Sequence, residues 1–184
     1  MKPQPCLKFR EDRATQIAAL LITKEGGSIN IVKLIKLMYY VDRAAIIRWG
    51  YPVTSDSHYS LPNGPILSFT LNLINEDMDG SYWTQYISSR EAHKVCLLES
   101  PSTDALSEAE ISLIDEIYDQ LGDLKPFQLV ELSHLLPEWE DPQGSRRPIS
   151  YRTILKSEGY SEEDIEDIFS DLDADTAMSA LAGD

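Results

Sequence analysis

A chain of 184 residues, 42% hydrophobic and 26% charged, is long enough to bury one core and short enough that a single domain is the natural expectation. Its net charge of −15 argues against direct nucleic-acid binding, because a sequence-independent grip rests on Lys and Arg neutralising phosphates. No apolar run approaches the roughly 20 residues that cross a bilayer, and the opening "MKPQPCLKFRED" has no apolar stretch ahead of its charges. Two distant cysteines, Cys6 and Cys96, do not make a disulfide framework. The expectation is a cytoplasmic protein with no membrane partner. Charge is unevenly spread. Residues 1–60 hold nine Lys or Arg against five Asp or Glu, whereas residues 61–124 and 125–184 are strongly acidic. Solubility accounts for this, and so does a surface shaped for a basic partner.

Taken in order, the elements are mostly helical. Phe9 to Thr23 carries apolar residues at helical spacing, and the glycines of "EGG" end it. From Asn30 to about Trp49 the chain is apolar nearly all round, with Lys33, Lys36, Tyr40 and Arg43 as one polar stripe at i, i+3, i+7 and i+10. Such a helix is central, touching neighbours on most sides. Residues 50–65 hold "GYP", "SDS" and "PNGP", which is turn chemistry and predicts a long ordered loop. A helix is then predicted from Pro65 through Ile74. "SYWTQYIS" and "HKVCLLE" have β-branched and aromatic content at strand length, which predicts a small hairpin.

Two later helices are announced by capping. Ser107 with Glu110, and Ser161 with Asp164, have the spacing of capping boxes, and Leu106 with Ile111, and Tyr160 with Ile165, stand at staple positions. Between them Lys125 to Leu136 is predicted helical, stopping at Pro137, and Ser150 to Ser157 adds a short helix before Gly159. The acidic last helix has an apolar stripe, Ile165, Ile168, Phe169 and Leu172, which an isolated helix this short does not maintain in water. It is expected to dock on its own domain.

The candidate sites are few. His93 and Cys96 make an H-x-x-C spacing, but residues three apart on a strand point to opposite faces, and a metal needs more ligands than two. His58 beside Ser57 and Asp56, and His134 beside Ser133, do not form a triad, since chain neighbours rarely face one another as nucleophile and base. There is no G-x-S-x-G elbow, Walker A motif or G-x-G-x-x-G fingerprint. Neither metal nor cofactor is expected. His134, in the last turn of a helix, and Trp139, after Pro137, read as a structural corner: the histidine serves free carbonyls and the indole N–H needs a partner.

Four stretches in order carry a family likeness: "LIKLMYYVDR" at 34–43, "NGPILS" at 63–68, "LSEAEISLIDEIYDQLG" at 106–122 and "ELSHLLPEW" at 131–139, with "PISYRTILKSEG" at 148–159 following. The sequence resembles the Panacea domain, the SocA-like antitoxin family of bacterial and phage toxin–antitoxin systems. The resemblance covers roughly residues 10–170. Ile66 stands where valine is usual, and Glu138 separates Pro137 from Trp139. The family implies an α+β, mainly helical, compact domain with a small β-hairpin and no catalytic centre. It implies a module that neutralises a cognate toxin by direct binding, with some members delivering the toxin to a protease. A protease adaptor or phage-encoded regulatory protein is the second reading, and a hydrolase a distant third.

The expected domain spans residues 1–173, including the acidic helix, with a flexible tail at 174–184. Expected partner contacts are Lys33, Lys36, Tyr40, Arg43 and Asn63. Gly64, Pro65, His134 and Trp139 are expected to be structural.

Overall fold

The computed structural model describes residues 2–76 and 80–181; residues 182–184 of the expected tail lie outside them. Among the described residues the fold is α+β and mainly helical, with eight helices and two small antiparallel sheets. Helix α1 spans Glu11–Lys24 and α2 spans Ile31–Trp49. The start of α2 is fixed by Asn30, whose side chain accepts from the N–H groups of Val32 and Lys33. Its end is fixed by Gly50 at φ +83, where an added Cβ would also lie 2.7 Å from Ile168. The glycine is needed for backbone and space together. Leu34, Leu37, Met38, Tyr39, Val41 and Ile46 of α2 are fully buried, so the nearly uniform apolar pattern does mark the central helix.

The hairpin lies elsewhere than its predicted place. Strands β1 (Ser28–Asn30), β2 (His58–Leu61) and β3 (Gly64–Leu67) precede helix α3 (Ser68–Asn75). β2 and β3 form the tight hairpin, with Ser60 opposite Pro65 and Leu61 opposite Gly64. The segment read as loop therefore contains the hairpin's first strand, and Pro65 is in a strand instead of opening a helix. Helix α3 starts three residues later because Asp56 caps it from outside. One carboxylate oxygen accepts from Phe69 N–H at 2.9 Å, and the other from Thr70 N–H and hydroxyl at 2.8 Å.

The first half of the predicted hairpin is helix α4, Tyr82–Tyr86, capped by Ser81 and anchored by buried Trp83, whose N–H donates to Glu11 at 3.0 Å. The rings of Tyr82 and Tyr86, an i, i+4 pair, meet at a tilt with centroids 5.0 Å apart, so aromatic content here serves a helix. The second half is strand β4, Lys94–Cys96. It pairs antiparallel with β1, setting Ile29 against Val95 in the core. The two predicted halves are joined by an isolated bridge, Ile87 to Leu97, and by Cys96 N–H donating to Ser88 Oγ at 2.9 Å.

Helix α5 (Glu108–Leu121) has the expected Ser107–Glu110 capping box. Helix α6 (Pro126–Ser133) is shorter than predicted: His134 caps it, and residues 135–138 continue as turns. Strand β5 (Arg147–Pro148) lies against β2, and α7 spans Tyr151–Ser157 behind its cap Ser150. The last helix, α8, spans Glu162–Leu181. Ser161 and Asp164 bond reciprocally at its start, and Ile165 and Phe169 are fully buried in the common core. The acidic helix thus docks on its own domain. No helix among the described residues is long and apolar enough to cross a membrane.

Candidate functional site

Pro62 and Asn63 form the exposed tip of the β2–β3 hairpin, and the end of α6 holds that tip. His134 reaches the carbonyl of Pro62 at 3.1 Å through Nε2, which requires the proton on that nitrogen. Its ring stacks on Trp139 with centroids 4.2 Å apart. Trp139 Nε1–H donates to the carbonyl of Leu61 at 3.0 Å. Two successive carbonyls, of Leu61 at the end of β2 and Pro62 at the tip, are therefore held by two stacked rings. His134 and Trp139 thus join the end of α6 to the hairpin.

Gly64 follows the tip at φ +89. A Cβ there would stand 2.2 Å from Ser133 Oγ and 2.8 Å from Lys36 Nζ. The hairpin, α6 and α2 meet at this point, and only a glycine lets them. Lys36 is buried, donates to the carbonyl of Pro65 at 2.7 Å, and is pushed down to about 7 by loss of solvent. Pro65 thus supplies an acceptor within a strand edge, and Ser133 closes its own hydroxyl on Val130 O at 2.8 Å.

A second buried group lies beneath. Glu138, 3% exposed, accepts from Tyr39 hydroxyl at 3.0 Å and from Arg43 Nε at 2.7 Å. Arg43 also donates to Glu158 at 2.7 Å. Burial first, then the neighbouring Glu138 carboxylate, holds the Tyr39 hydroxyl well above its ordinary range, so it acts as a donor. Glu138, seen in the sequence only as an interruption between Pro137 and Trp139, anchors the corner to α2. Tyr39 and Arg43, one turn apart on one helix face, were the signal that a carboxylate stands opposite them.

The expected polar stripe of α2 divides. Lys33 is buried and stitches Glu25 to the carbonyl of Gly122, while Lys36 serves the hairpin. Tyr40 and Arg43 remain half-buried along the groove between α2 and α5. The structure does not bring the five expected contact residues to one surface: Asn63 is at the tip, away from the α2 groove.

Elsewhere, Asp42 and His58 are fully buried, with His58 Nε2 3.8 Å from Asp42 Oδ2. Cys6 and Cys96 are exposed and free. No group of three or more His, Cys, Asp or Glu among the described residues is placed to hold a metal.

With this geometry in view, a family model described as antitoxin SocA-like, Panacea domain, matches residues 34–140, more than half of the chain. The match runs from the first buried turn of α2 to one residue past Trp139, so it contains Lys36, Gly64, Ser133, His134, Glu138 and Trp139. Comparison with the curated proteins and with the solved structures gives no match.

Proposed function

This chain belongs to the SocA-like antitoxin family defined by the Panacea domain, and from that membership we propose that it neutralises a cognate toxin by binding it directly. The observation that carries the reading is where the matched residues sit. Lys36, His134 and Trp139 bond to the backbone of the hairpin, Glu138 accepts from Tyr39 and Arg43 of α2, and Gly64 lets the hairpin, α2 and α6 close on one another. They build a rigid support, and the chemistry of recognition is left to the surfaces that this support positions. The acidic excess supplies a second support. Exposed carboxylates stud α5 and α8, which suits association with a basic partner through steering of the encounter.

The test is growth rescue. Expressing the open reading frame adjacent to this one should arrest growth, co-expression of this chain should restore it, and the two products should purify as a complex. Rescue that occurs only when a cytosolic protease is present assigns the adaptor reading instead. Turnover of a small substrate without complex formation removes the antitoxin reading.

A further inference from the structure

Helix α2 is covered on every side but one. Between Lys33 and Arg48 its half-buried and exposed positions are Tyr40, Arg43, Ala44, Ile47 and Arg48, a strip at i, i+3, i+4, i+7 and i+8 between α5 and the α7–α8 corner. One hollow opens on that strip and a second lies beside it, at the start of α8. One, of about 460 Å³, has Tyr40, Ala44 and Ile47 against Ile117 and Leu121 of α5. The other, of about 500 Å³, has Tyr160 and Ile168 with Glu158, Asp164 and Asp167 around its mouth. Lining residues of one bond to those of the other: Tyr160 hydroxyl donates to Ile47 O at 2.7 Å, and Arg43 donates to Glu158 at 2.7 Å.

Two observations say what belongs there. The Tyr40 hydroxyl is buried in the wall of the first hollow with no hydrogen-bond partner, a condition that is costly unless something supplies one. The charge along the groove is also unbalanced. Both arginines are already paired, Arg43 with Glu138 and Glu158, and Arg48 with Glu116 at 2.9 Å. Asp167, at the mouth of the second hollow, has no cation among the described residues, and Asp164 is occupied only by the Ser161 cap. An apolar floor with a surplus of carboxylates on its rim complements a chain segment that is apolar on one face and basic on the other, the pattern of a helix laid in a groove.

We propose that the groove along α2 is the docking site for a basic amphipathic segment of the toxin. Its apolar residues enter the two hollows, its Lys and Arg side chains face Asp164 and Asp167, and the half-buried Tyr40 ring turns so that its hydroxyl gains a polar partner. The identity of the partner as a toxin rests on the antitoxin reading; the groove and its preference for a basic segment do not.

The experiment uses the isotope-labelled full chain and two synthetic peptides of equal positive charge, one an amphipathic leucine–lysine helix and one in which serine replaces leucine. The leucine–lysine peptide should shift the amide signals of residues 40–51, 113–121 and 160–168 and bind at least about tenfold more tightly than the serine–lysine peptide. Ala44→Arg, which fills the first hollow and adds positive charge, should remain folded and bind about tenfold or more weakly. Tyr40→Phe should keep the stability of the free chain and lose affinity. Equal binding of the two peptides, shifts centred on another surface, or a self-associated chain whose groove is covered by a second copy would overturn the proposal. With the toxin in hand, rescue that survives Ala44→Arg overturns the groove and leaves the antitoxin reading standing. If the wild-type chain fails to rescue while the leucine–lysine peptide still seats in the groove, the antitoxin reading falls and the groove stands as the site of another basic partner.

Discussion

Asp42 and His58 face each other in the core, His58 Nε2 3.8 Å from Asp42 Oδ2 and neither side chain exposed at all. The Asp42 carboxylate accepts from Thr54 N–H and from Thr54 hydroxyl. The His58 ring lies edge-on to Tyr39 and Tyr151, and neither of its nitrogens has a hydrogen-bond partner. Burial raises Asp42 to about 7, with Asp56 adding to the rise, and lowers His58 to about 4.

The pair's pH behaviour follows from counting protons. In the unfolded chain an aspartate releases its proton near 3.9 and a histidine near 6.5. Between about pH 4 and 6.5 the unfolded chain holds one proton, on the histidine, and the folded pair holds one, on the aspartate. The count is the same whichever partner carries it, so the wild-type pair leaves stability flat there. Asp42→Asn removes the compensation: the unfolded histidine takes up a proton that buried His58 refuses, and stability is lost as pH falls from 6.5 toward 4. His58→Gln does the opposite. Asp42 keeps a proton that the unfolded aspartate has released, so stability is lost as pH rises from 4 toward 7. Each slope approaches about 1.4 kcal/mol per pH unit at most. Urea unfolding of the three proteins at pH 4.5 and 6.5, within the common window set by those values, should give opposite trends for the two variants; trends of the same sign would refute the pairing.

Lys36 yields a prediction of a different sign. Burial lowers its amine to about 7, against about 10.4 in an unfolded chain. Below pH 7 both states carry the proton and the folded state bears the whole cost of a buried ammonium. Above pH 7 the folded state sheds a proton that the unfolded state retains, so this contribution to stability rises with pH until about 10.4. Lys36→Met keeps the length and removes the charge. It should stabilise the chain near neutral pH by on the order of 3 kcal/mol, after allowing about 1 kcal/mol for the lost bond to Pro65 O. The gain should shrink as pH rises toward 9.5. A methionine variant less stable than wild type at pH 6.5, by chemical denaturation, would contradict this account.

These two groups also mark what the sequence could and could not disclose. The capping boxes at Ser107 and Ser161 were legible because a cap is a local bond, written three residues apart. Helix α2 was legible because its apolar pattern closes around its own axis. The hairpin was misplaced because its controls are distant: Asp56 caps α3 from 13 and 14 positions away at Phe69 and Thr70, and β4 finds its partner in β1. At the corner, His134 and Trp139 were recognisable, but their acceptors, Pro62 O and Leu61 O, lie more than 70 residues back. Glu138 was hidden for the same reason, since a buried carboxylate is identified by the Arg43 and Tyr39 that meet it.

Gly64 separates packing from backbone conformation. Gly64→Ala must tolerate φ +89 and place a methyl 2.2 Å from Ser133 Oγ, a combination expected to cost about 2–4 kcal/mol. Gly144, at φ +88 with nothing within 4 Å of its added Cβ, isolates the backbone part, so Gly144→Ala should cost only about 1 kcal/mol. Ser133→Ala placed in the Gly64→Ala background should recover part of the difference by removing the nearest atom. Equal losses for the two glycine variants in thermal unfolding would show that the hairpin, α2 and α6 do not meet as tightly as the contact implies.

The end of the chain supplies the last prediction, which concerns where the folded unit stops. Phe169 is fully buried beneath Arg152, whose guanidinium lies 5.1 Å from the ring centroid, and Ile165 is buried one turn earlier. Past Leu172 the helix continues with residues 173–178 all exposed. Since stability follows apolar area removed from water, α8 should divide into a part that holds the domain together and a part that does not. Phe169→Ala should cost about 3–5 kcal/mol, the range for a buried aromatic truncated to a methyl. Removal of residues 174–184 should change stability by no more than about 0.5 kcal/mol, as substitutions away from buried contacts do. Removal of residues 160–184 should destabilise the chain at least as much as Phe169→Ala and expose hydrophobic surface to a dye such as ANS. A shortened chain ending at residue 173 that melts many degrees lower would place the domain boundary beyond Asp173, in the exposed turns of α8. An unchanged melting temperature for Phe169→Ala would mean that α8 is held by its ion pairs, Arg152 with Glu162 and Glu166, instead of by its apolar stripe.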